Sequence, residues 1–220
     1  MRETTAVLKQ QMQAAASRAY TCGLQTGNGG NLSARPVKAL YMVIKASGKS
    51  FGECSPETLI TIDYDGQVLE GTLKPSREYL THAAVYRSRP EVHAIMHCHA
   101  PFSIAMAALV DDLPFVTHHM QMKLGAIPVL TVDAHADVVM AEHTTRFLSD
   151  HPGIKAFIHR KHGLFSFGAD IAEAEHNAEL VEESAKIALL LRLGSLGHAS
   201  GGSATTGAGG TPLSTGTRSE

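Results

Sequence analysis

Residues 91–101 constrain the fold more than any other segment, because they predict a strand that ends in histidines and leads directly into a helix. The apolar run at 92–96 favours a strand, and the proline at 101 suits the first turn of a helix. Side chains alternate between the two faces of a strand, so His97 and His99 share one face and Cys98 packs on the other. Two imidazoles at a strand end suit a metal ion such as zinc, but such pairs are also common on ordinary surfaces.

Predicted strands and helices alternate along most of the chain, which indicates an α/β sandwich around a central sheet. The turn Asp65-Gly66 lies between two strand-like segments and is a strong hairpin signal. Strands joined by such a turn are antiparallel, so the sheet is not purely parallel. Helices are predicted at 4–22, 75–86, 103–109, 136–148 and 171–193, and strands at 31–35, 41–45, 59–64, 67–70, 92–99, 114–119, 127–132 and 154–159.

Composition narrows the class of protein. The 220 residues carry a formal charge of −2, so bulk charge favours neither nucleic acid nor an acidic membrane surface as a partner. The sequence has no apolar run of membrane-spanning or signal-peptide type, and its three cysteines are scattered, as in a reducing compartment. We therefore expect a cytoplasmic protein with one folded domain, residues 1–196. Residues 197–220 are rich in Gly, Ser and Thr and are predicted to be a mobile tail.

A third metal ligand is predicted at a second strand end. His162 follows the strand predicted at 154–159 and precedes Gly163, which allows close approach. Loops at strand ends gather at one edge of a sheet, where the sites of α/β proteins are built. His159 competes for the same role. Three histidines with an open fourth position are typical of a catalytic metal site.

Glu78 is the candidate acid/base. It lies in the first turn of the helix predicted to start at Pro75-Ser76, and that helix leads into the histidine strand. We expect burial against the strand to raise the pKa of Glu78, as acid/base work requires. The competing interpretation is that an acidic residue in a first turn favours the helix dipole.

Three small-residue segments are candidate phosphate sites, because N–H groups in glycine turns and at helix starts bind anions. They are residues 27–31, residues 46–48 and Ser76, although each alone is more often an ordinary turn or cap. Gly48-Lys49-Ser50 does not complete a nucleotide P-loop, which needs a glycine where Val43 stands.

Five motifs together resemble the class II aldolase and adducin family over residues 4–193. The resemblance implies a three-layer α/β/α sandwich with a mixed, mainly antiparallel sheet. It also implies a homotetramer with sites at subunit interfaces. The motifs are Gly-Asn-Gly-Gly-Asn-Leu-Ser at 27–33, Lys-Ala-Ser-Gly at 45–48, Lys-Pro-Ser-Arg-Glu at 74–78, His-Cys-His at 97–99 and Lys-His-Gly-Leu at 161–164.

The resemblance assigns the metal and the acid/base. It implies Zn²⁺, or another divalent cation such as Mn²⁺ or Co²⁺, on His97, His99 and His162. It favours His162 over His159 as the third ligand. It also implies that Glu78 is the catalytic acid/base.

The resemblance also implies how the substrate is held. Related aldolases use a tyrosine to protonate the leaving fragment, and this sequence offers His118 or His119 instead. The C-terminal tail lacks a further tyrosine of the family. Arg77 stands where those aldolases have serine, and it adds a charged contact. The substrate phosphate is expected to lie against Gly30, Asn31, Ser47, Gly48 and Ser76.

The expected activity is a zinc-dependent retro-aldol cleavage of a phosphorylated ketose, of the fuculose 1-phosphate, deoxyribulose 1-phosphate or methylthioribulose 1-phosphate type. Its products would be dihydroxyacetone phosphate and an aldehyde. The alternatives on the same scaffold are a sugar-phosphate 4-epimerase, a methylthioribulose-1-phosphate dehydratase and a phosphorylated keto-acid decarboxylase. A non-catalytic adducin-like module is disfavoured, because the three histidines and Glu78 are all present.

Overall fold

The computed structural model describes the backbone of residues 2–132 and 137–200. Its strands are β1 (Asn31–Ala34), β2 (Tyr41–Lys45), β3 (Leu59–Asp63), β4 (Val68–Glu70), β5 (Ala94–Cys98), β6 (Val129–Leu130), β7 (Ala156–His159) and β8 (Gly163–Gly168). Within the described residues they form one eight-stranded sheet in the order β4-β3-β2-β1-β5-β8-β7-β6. Neighbouring strands are antiparallel, except that β6 and β7 are parallel.

Helices cover both faces of this sheet. They are α1 (Arg2–Thr21), α2 (Tyr79–Ser88), α3 (Pro101–Ala107), α4 (His118–Lys123), α5 (Asp137–Asp150) and α6 (Ile171–Ser200). Buried side chains of α1, α3, α4 and α6 pack on one face, and those of α2 and α5 pack on the other. The predicted three-layer α/β/α sandwich with a mainly antiparallel sheet is confirmed. None of the described helices is long and apolar enough to cross a membrane.

The predicted passage from strand to helix at the histidines is confirmed. Pro101 occupies the first turn of α3, and Glu182 of α6 accepts hydrogen bonds from the backbone N–H groups of Phe102 and Ser103, both at 2.8 Å. These are N–H groups that a helix leaves without internal partners, so the carboxylate caps the helix. The contact ties the end of the histidine strand to α6.

Two predicted elements near the site are wrong. Residues 114–119 form no strand, because the Thr117 side chain accepts a hydrogen bond from the Met120 N–H and begins α4 instead. Helix α2 starts at Tyr79, not at Pro75, because residues 74–76 pair with residues 45–47. Glu78 is therefore the N-cap of α2 and not part of its first turn.

Strand β8 and the end of α6 also differ from the prediction. All of β8 is buried, so it lacks the polar alternation by which half-exposed strands are detected. The helical backbone of α6 runs past residue 193 to Ser200, since a glycine inside a helix costs only about 1 kcal/mol. Residues 133–136 and 201–220 lie outside the described residues, so the domain boundary at 196 and the tail stay predictions.

The register of the sheet brings three segments to one edge. Asn31 at the start of β1 pairs with His97 near the end of β5, and Cys98 pairs with Leu164 of β8. His162 lies in the turn just before β8, so it is carried to the end of β5. Cys98 is fully buried in the apolar cluster of the opposite face, as predicted.

Candidate active site

Three histidines converge at this edge of the sheet. One ring nitrogen from each of His97, His99 and His162 lies within 4.8 Å of the others. Their ring centroids are 4.8 to 5.1 Å apart. His159 is not part of this set among the described residues, so the structure brings together His162 and not its competitor. A set of three imidazoles suits one zinc-like cation and leaves a position for substrate.

His97 is oriented for a metal. Its Nδ1 lies 3.0 Å from the Leu164 carbonyl oxygen, which can only accept, so Nδ1 carries the proton and Nε2 carries the lone pair. Nε2 is buried and makes no hydrogen bond within the described residues. The ring stacks on Phe165 with centroids 4.0 Å apart. A buried lone pair without a donor is what a ligand nitrogen needs, so the residues fit a cation.

Two glycines allow neighbouring loops to pack directly against the backbone of the histidine strand. Gly30 has a φ of +61°, and a Cβ there would lie 2.7 Å from the His97 carbonyl oxygen. A Cβ on Gly163 would lie 2.4 Å from the Cys98 carbonyl oxygen. Any larger residue at either position would separate the loops from the histidine strand. Gly30 therefore shapes the loop rather than offering a side-chain contact.

Glu78 faces the histidines from the start of α2. Its Oε1 lies 3.1 Å from His162 Nε2, and its Oε2 lies 3.4 Å from His97 Nε2. The Asn31 side-chain amide donates a hydrogen bond to the same carboxylate. The arrangement places a carboxylate beside the nitrogens of two of the three histidines.

The pKa of Glu78 is shifted in the opposite direction to the sequence-based expectation. Burial raises it, but the electrostatic interaction with His97, the hydrogen bond and charge of His162, and the Asn31 amide together hold the pKa of Glu78 below its ordinary value. Burial also lowers the pKa of His97 to about 3. Glu78 is therefore a carboxylate at neutral pH, so the prediction of a raised pKa is wrong for the described residues.

Two of the predicted phosphate segments, residues 46–48 and Ser76, lie side by side. Some of their backbone N–H groups already donate hydrogen bonds within the protein. Ala46 pairs with Pro75, the Ser47 N–H donates to the Lys74 carbonyl at 2.9 Å, and the Ser76 N–H donates to the Lys45 carbonyl at 3.1 Å. These two amides are not free for an anion. The side-chain hydroxyls of Ser47 and Ser76 are donors that this backbone pairing does not use.

Lys45 and Gly48 flank this pair of serines. Gly48 has a φ of +73°, which suits the turn it makes. The Lys45 side chain is buried, and its Nζ donates to the carbonyls of Ala46 and Lys49. Burial lowers the pKa of Lys45 to about 8, and nearby acidic groups, including Glu78, partly oppose this. Lys45 thus adds positive charge next to the predicted phosphate segment at residues 46–48.

Three candidates are not joined to the histidine cluster in the described structure. Arg77 is 68% exposed, and its Nε donates to Asp137 Oδ2 at 3.3 Å. His118 and His119 are exposed at the start of α4, and His119 lines a groove of about 1010 Å³ beside α1 and α6. A proton-donor role for either histidine stays a prediction.

Two further residues support the cluster: Gln25, which no sequence pattern indicates, and His159, which the sequence offers only as a competing ligand. Gln25 is buried, and its Oε1 accepts a hydrogen bond from the His99 backbone N–H at 2.6 Å. His159 Nδ1 and His162 Nδ1 share a hydrogen bond of 2.9 Å. The only sequence signal for His159 is its spacing of three residues from His162 across a predicted turn.

Comparison with known proteins places these features in a family. A model described as the class II aldolase and adducin N-terminal domain matches residues 10–189. The 3-oxo-tetronate 4-phosphate decarboxylase of Escherichia coli O6:H1 is 31% identical over 190 residues, covering 84% of this chain and 87% of its own. The L-ribulose-5-phosphate 4-epimerase UlaF of Salmonella paratyphi C is 32% identical over 197 residues, covering 84% and 85%. A solved L-fuculose 1-phosphate aldolase has a TM-score of 0.75 and 27% identity, covering 84% and 86%.

Proposed function

Because the chain belongs to the class II aldolase and adducin family, we propose that it is a metal-dependent enzyme that decarboxylates a phosphorylated 3-oxo acid, of the 3-oxo-tetronate 4-phosphate type. The observation that carries this proposal is the carboxylate of Glu78 facing three convergent histidines. The two relatives described above, 31% and 32% identical, are named for decarboxylation and epimerisation, whereas the aldolase is 27% identical. These names support a decarboxylase better than the ketose-phosphate aldolase expected from the motifs.

The proposed cation is held by His97, His99 and His162. When bound, it would supply positive charge where negative charge develops on the carbonyl oxygen of the substrate. The buried Nε2 of His97, which has no hydrogen-bond partner among the described residues, supports this assignment. Imidazole ligands suit Zn²⁺ and Co²⁺.

Glu78 is proposed to move the proton that the reaction needs. In a 3-oxo acid, breaking the bond between C1 and C2 releases CO₂ and leaves the electron pair shared between C2 and the carbonyl oxygen. A proton must then reach C2, which yields dihydroxyacetone phosphate from the four-carbon substrate. The side chain of Glu78 is 22% exposed, so the carboxylate can relay a proton from water to that carbon without being protonated beforehand.

The hydroxyls of Ser47 and Ser76 are proposed to hold the substrate phosphate. A hydrogen bond to a charged group contributes about 1.5–3 kcal/mol, so Ser76→Ala is expected to raise KM by roughly 10-fold or more and to leave kcat nearly unchanged. Steady-state kinetics on the phosphorylated substrate measure both constants. Ser149→Ala on exposed α5 is the matched control. An unchanged KM in Ser76→Ala would remove this serine from the phosphate site.

A substrate panel tests the proposed reaction. With Zn²⁺ or Co²⁺ present, we expect 3-oxo-tetronate 4-phosphate to give CO₂ and dihydroxyacetone phosphate in equal amounts, and a chelator to abolish both. Ketose 1-phosphates, including fuculose 1-phosphate, test aldol cleavage in the same assay. Undiminished turnover after verified metal removal would contradict the proposal.

Epimerisation is the second candidate, because the UlaF relative is as similar as the decarboxylase. Epimerisation at C4 conserves all carbon atoms, so L-ribulose 5-phosphate would change configuration without release of CO₂ or dihydroxyacetone phosphate. Detection of that conversion, with no CO₂ from the 3-oxo acid, would replace decarboxylation by epimerisation.

A further inference from the structure

His159 is a buried histidine whose Nδ1 hydrogen-bonds to a proposed metal ligand. It is 5% exposed at the end of β7, and its Nδ1 lies 2.9 Å from Nδ1 of His162. The two rings are nearly perpendicular, at 87°, with centroids 5.1 Å apart. His162 therefore has one nitrogen facing His159 and the other, Nε2, facing Glu78.

The His159 ring has one further polar neighbour, the backbone of Val132. Its buried Nε2 nevertheless forms no hydrogen bond of normal geometry within the described residues. The well-formed hydrogen bond of this ring in the described structure is therefore the one to His162.

The hydrogen bond determines which nitrogen of His162 has a lone pair. To bind a cation through Nε2, His162 must carry its proton on Nδ1, and that proton needs an acceptor. An uncharged His159 can accept it through Nδ1 while keeping its own proton on Nε2. The same pair can also hydrogen-bond with the proton reversed, when His162 donates through Nε2 to Glu78. A histidine at position 159 can accept the hydrogen bond from His162 in the first state and donate it in the second. A carboxylate at this position could only accept it.

We propose that His159 is a positioning residue that fixes the ring orientation and the Nδ1–H tautomer of His162, so that His162 presents Nε2 to the cation. This inference rests on the proposed metal site. His97 has a carbonyl in the equivalent position, that of Leu164, so each of these two ligands is oriented by its own outer hydrogen bond.

Direct metal binding by purified variants tests the inference. His159→Phe keeps a buried ring but removes the acceptor, and we expect it to weaken Co²⁺ and Zn²⁺ affinity by about 10- to 100-fold. His159→Asn places an amide oxygen where Nδ1 lies, so it should recover most of the affinity. Titration calorimetry and the absorption bands of bound Co²⁺ report affinity and coordination without reference to turnover.

Two further measurements separate positioning from a structural role. The melting temperature of metal-free His159→Phe should stay close to that of the wild type, because an aromatic ring still fills the buried position. The ¹⁵N shifts of His162 should show Nδ1 protonated in the zinc-bound wild type and a mixture of tautomers in His159→Phe.

The outcomes distinguish this inference from the proposed function. If the wild type binds no divalent cation, the metal site itself fails. If the wild type binds tightly and His159→Phe binds equally tightly with an unchanged His162 tautomer, only the role of His159 is overturned. Weak binding by both His159→Phe and His159→Asn, together with a lowered melting temperature, would also overturn it in favour of a packing role.

Discussion

Glu78→Gln is expected to lower kcat by about 10²- to 10⁴-fold, which is the range that a positioned acid/base contributes. Glutamine keeps the shape of the side chain and an oxygen that can accept from Asn31, but it cannot accept and release a proton. The carboxylate lies 3.1 and 3.4 Å from nitrogens of His162 and His97, so it would transfer a proton next to the proposed metal-bound substrate. Measurements of kcat and metal content on the same preparation test this directly.

The metal content of Glu78→Gln shows whether a loss of turnover comes from the missing carboxylate or from a missing metal ion. Glu78→Gln should retain one divalent cation per chain, because the three histidines remain. Glu142→Gln on the exposed face of α5 is the matched control and should match the wild type in both measurements. If Glu78→Gln keeps full turnover with its metal bound, the acid/base must be sought in another residue.

The histidines of β5 could be predicted from strand periodicity, which is strict, whereas His162 and Glu78 are singled out by the family resemblance. Alternation along β5 places His97 on one face and Cys98 on the other, whatever the rest of the chain does. The hairpin signal at Asp65-Gly66 similarly predicts antiparallel pairing of β3 and β4. These are local rules, and the structure agrees with them.

The finer properties of the site depend on contacts between distant segments. The backbone N–H groups of Ser47 and Ser76 donate hydrogen bonds between segments about 30 residues apart in the chain. No local sequence pattern predicts this pairing. The direction of the Glu78 pKa shift depends on whether burial or its polar neighbours dominate, and those neighbours come from β1, β5 and the turn before β8. The hydrogen bond between His159 and His162 requires the geometry of that same turn.

His162→Ala is expected to weaken Zn²⁺ binding by roughly 10²-fold or more, because about 10–16 kcal/mol spread over the four ligands of a structural zinc site is near 3 kcal/mol for each ligand. The side chain of His162 is 31% exposed, so its removal leaves no large buried cavity. His97→Ala would also remove a ligand, but it would expose the stacked face of Phe165 within the core. His162 therefore gives the cleaner test of metal binding.

The measurement is zinc stoichiometry and affinity, with His176→Ala as the matched control, since His176 is exposed on α6 and outside the cluster. Turnover should fall along with the metal in His162→Ala, and excess Zn²⁺ should restore part of it if the site is weakened rather than destroyed.

Wild-type affinity in His162→Ala would mean that the cation does not use this nitrogen. His159, one ring away, would then return as the candidate ligand, and the same titration of a His159→Ala/His162→Ala double variant would decide between the two.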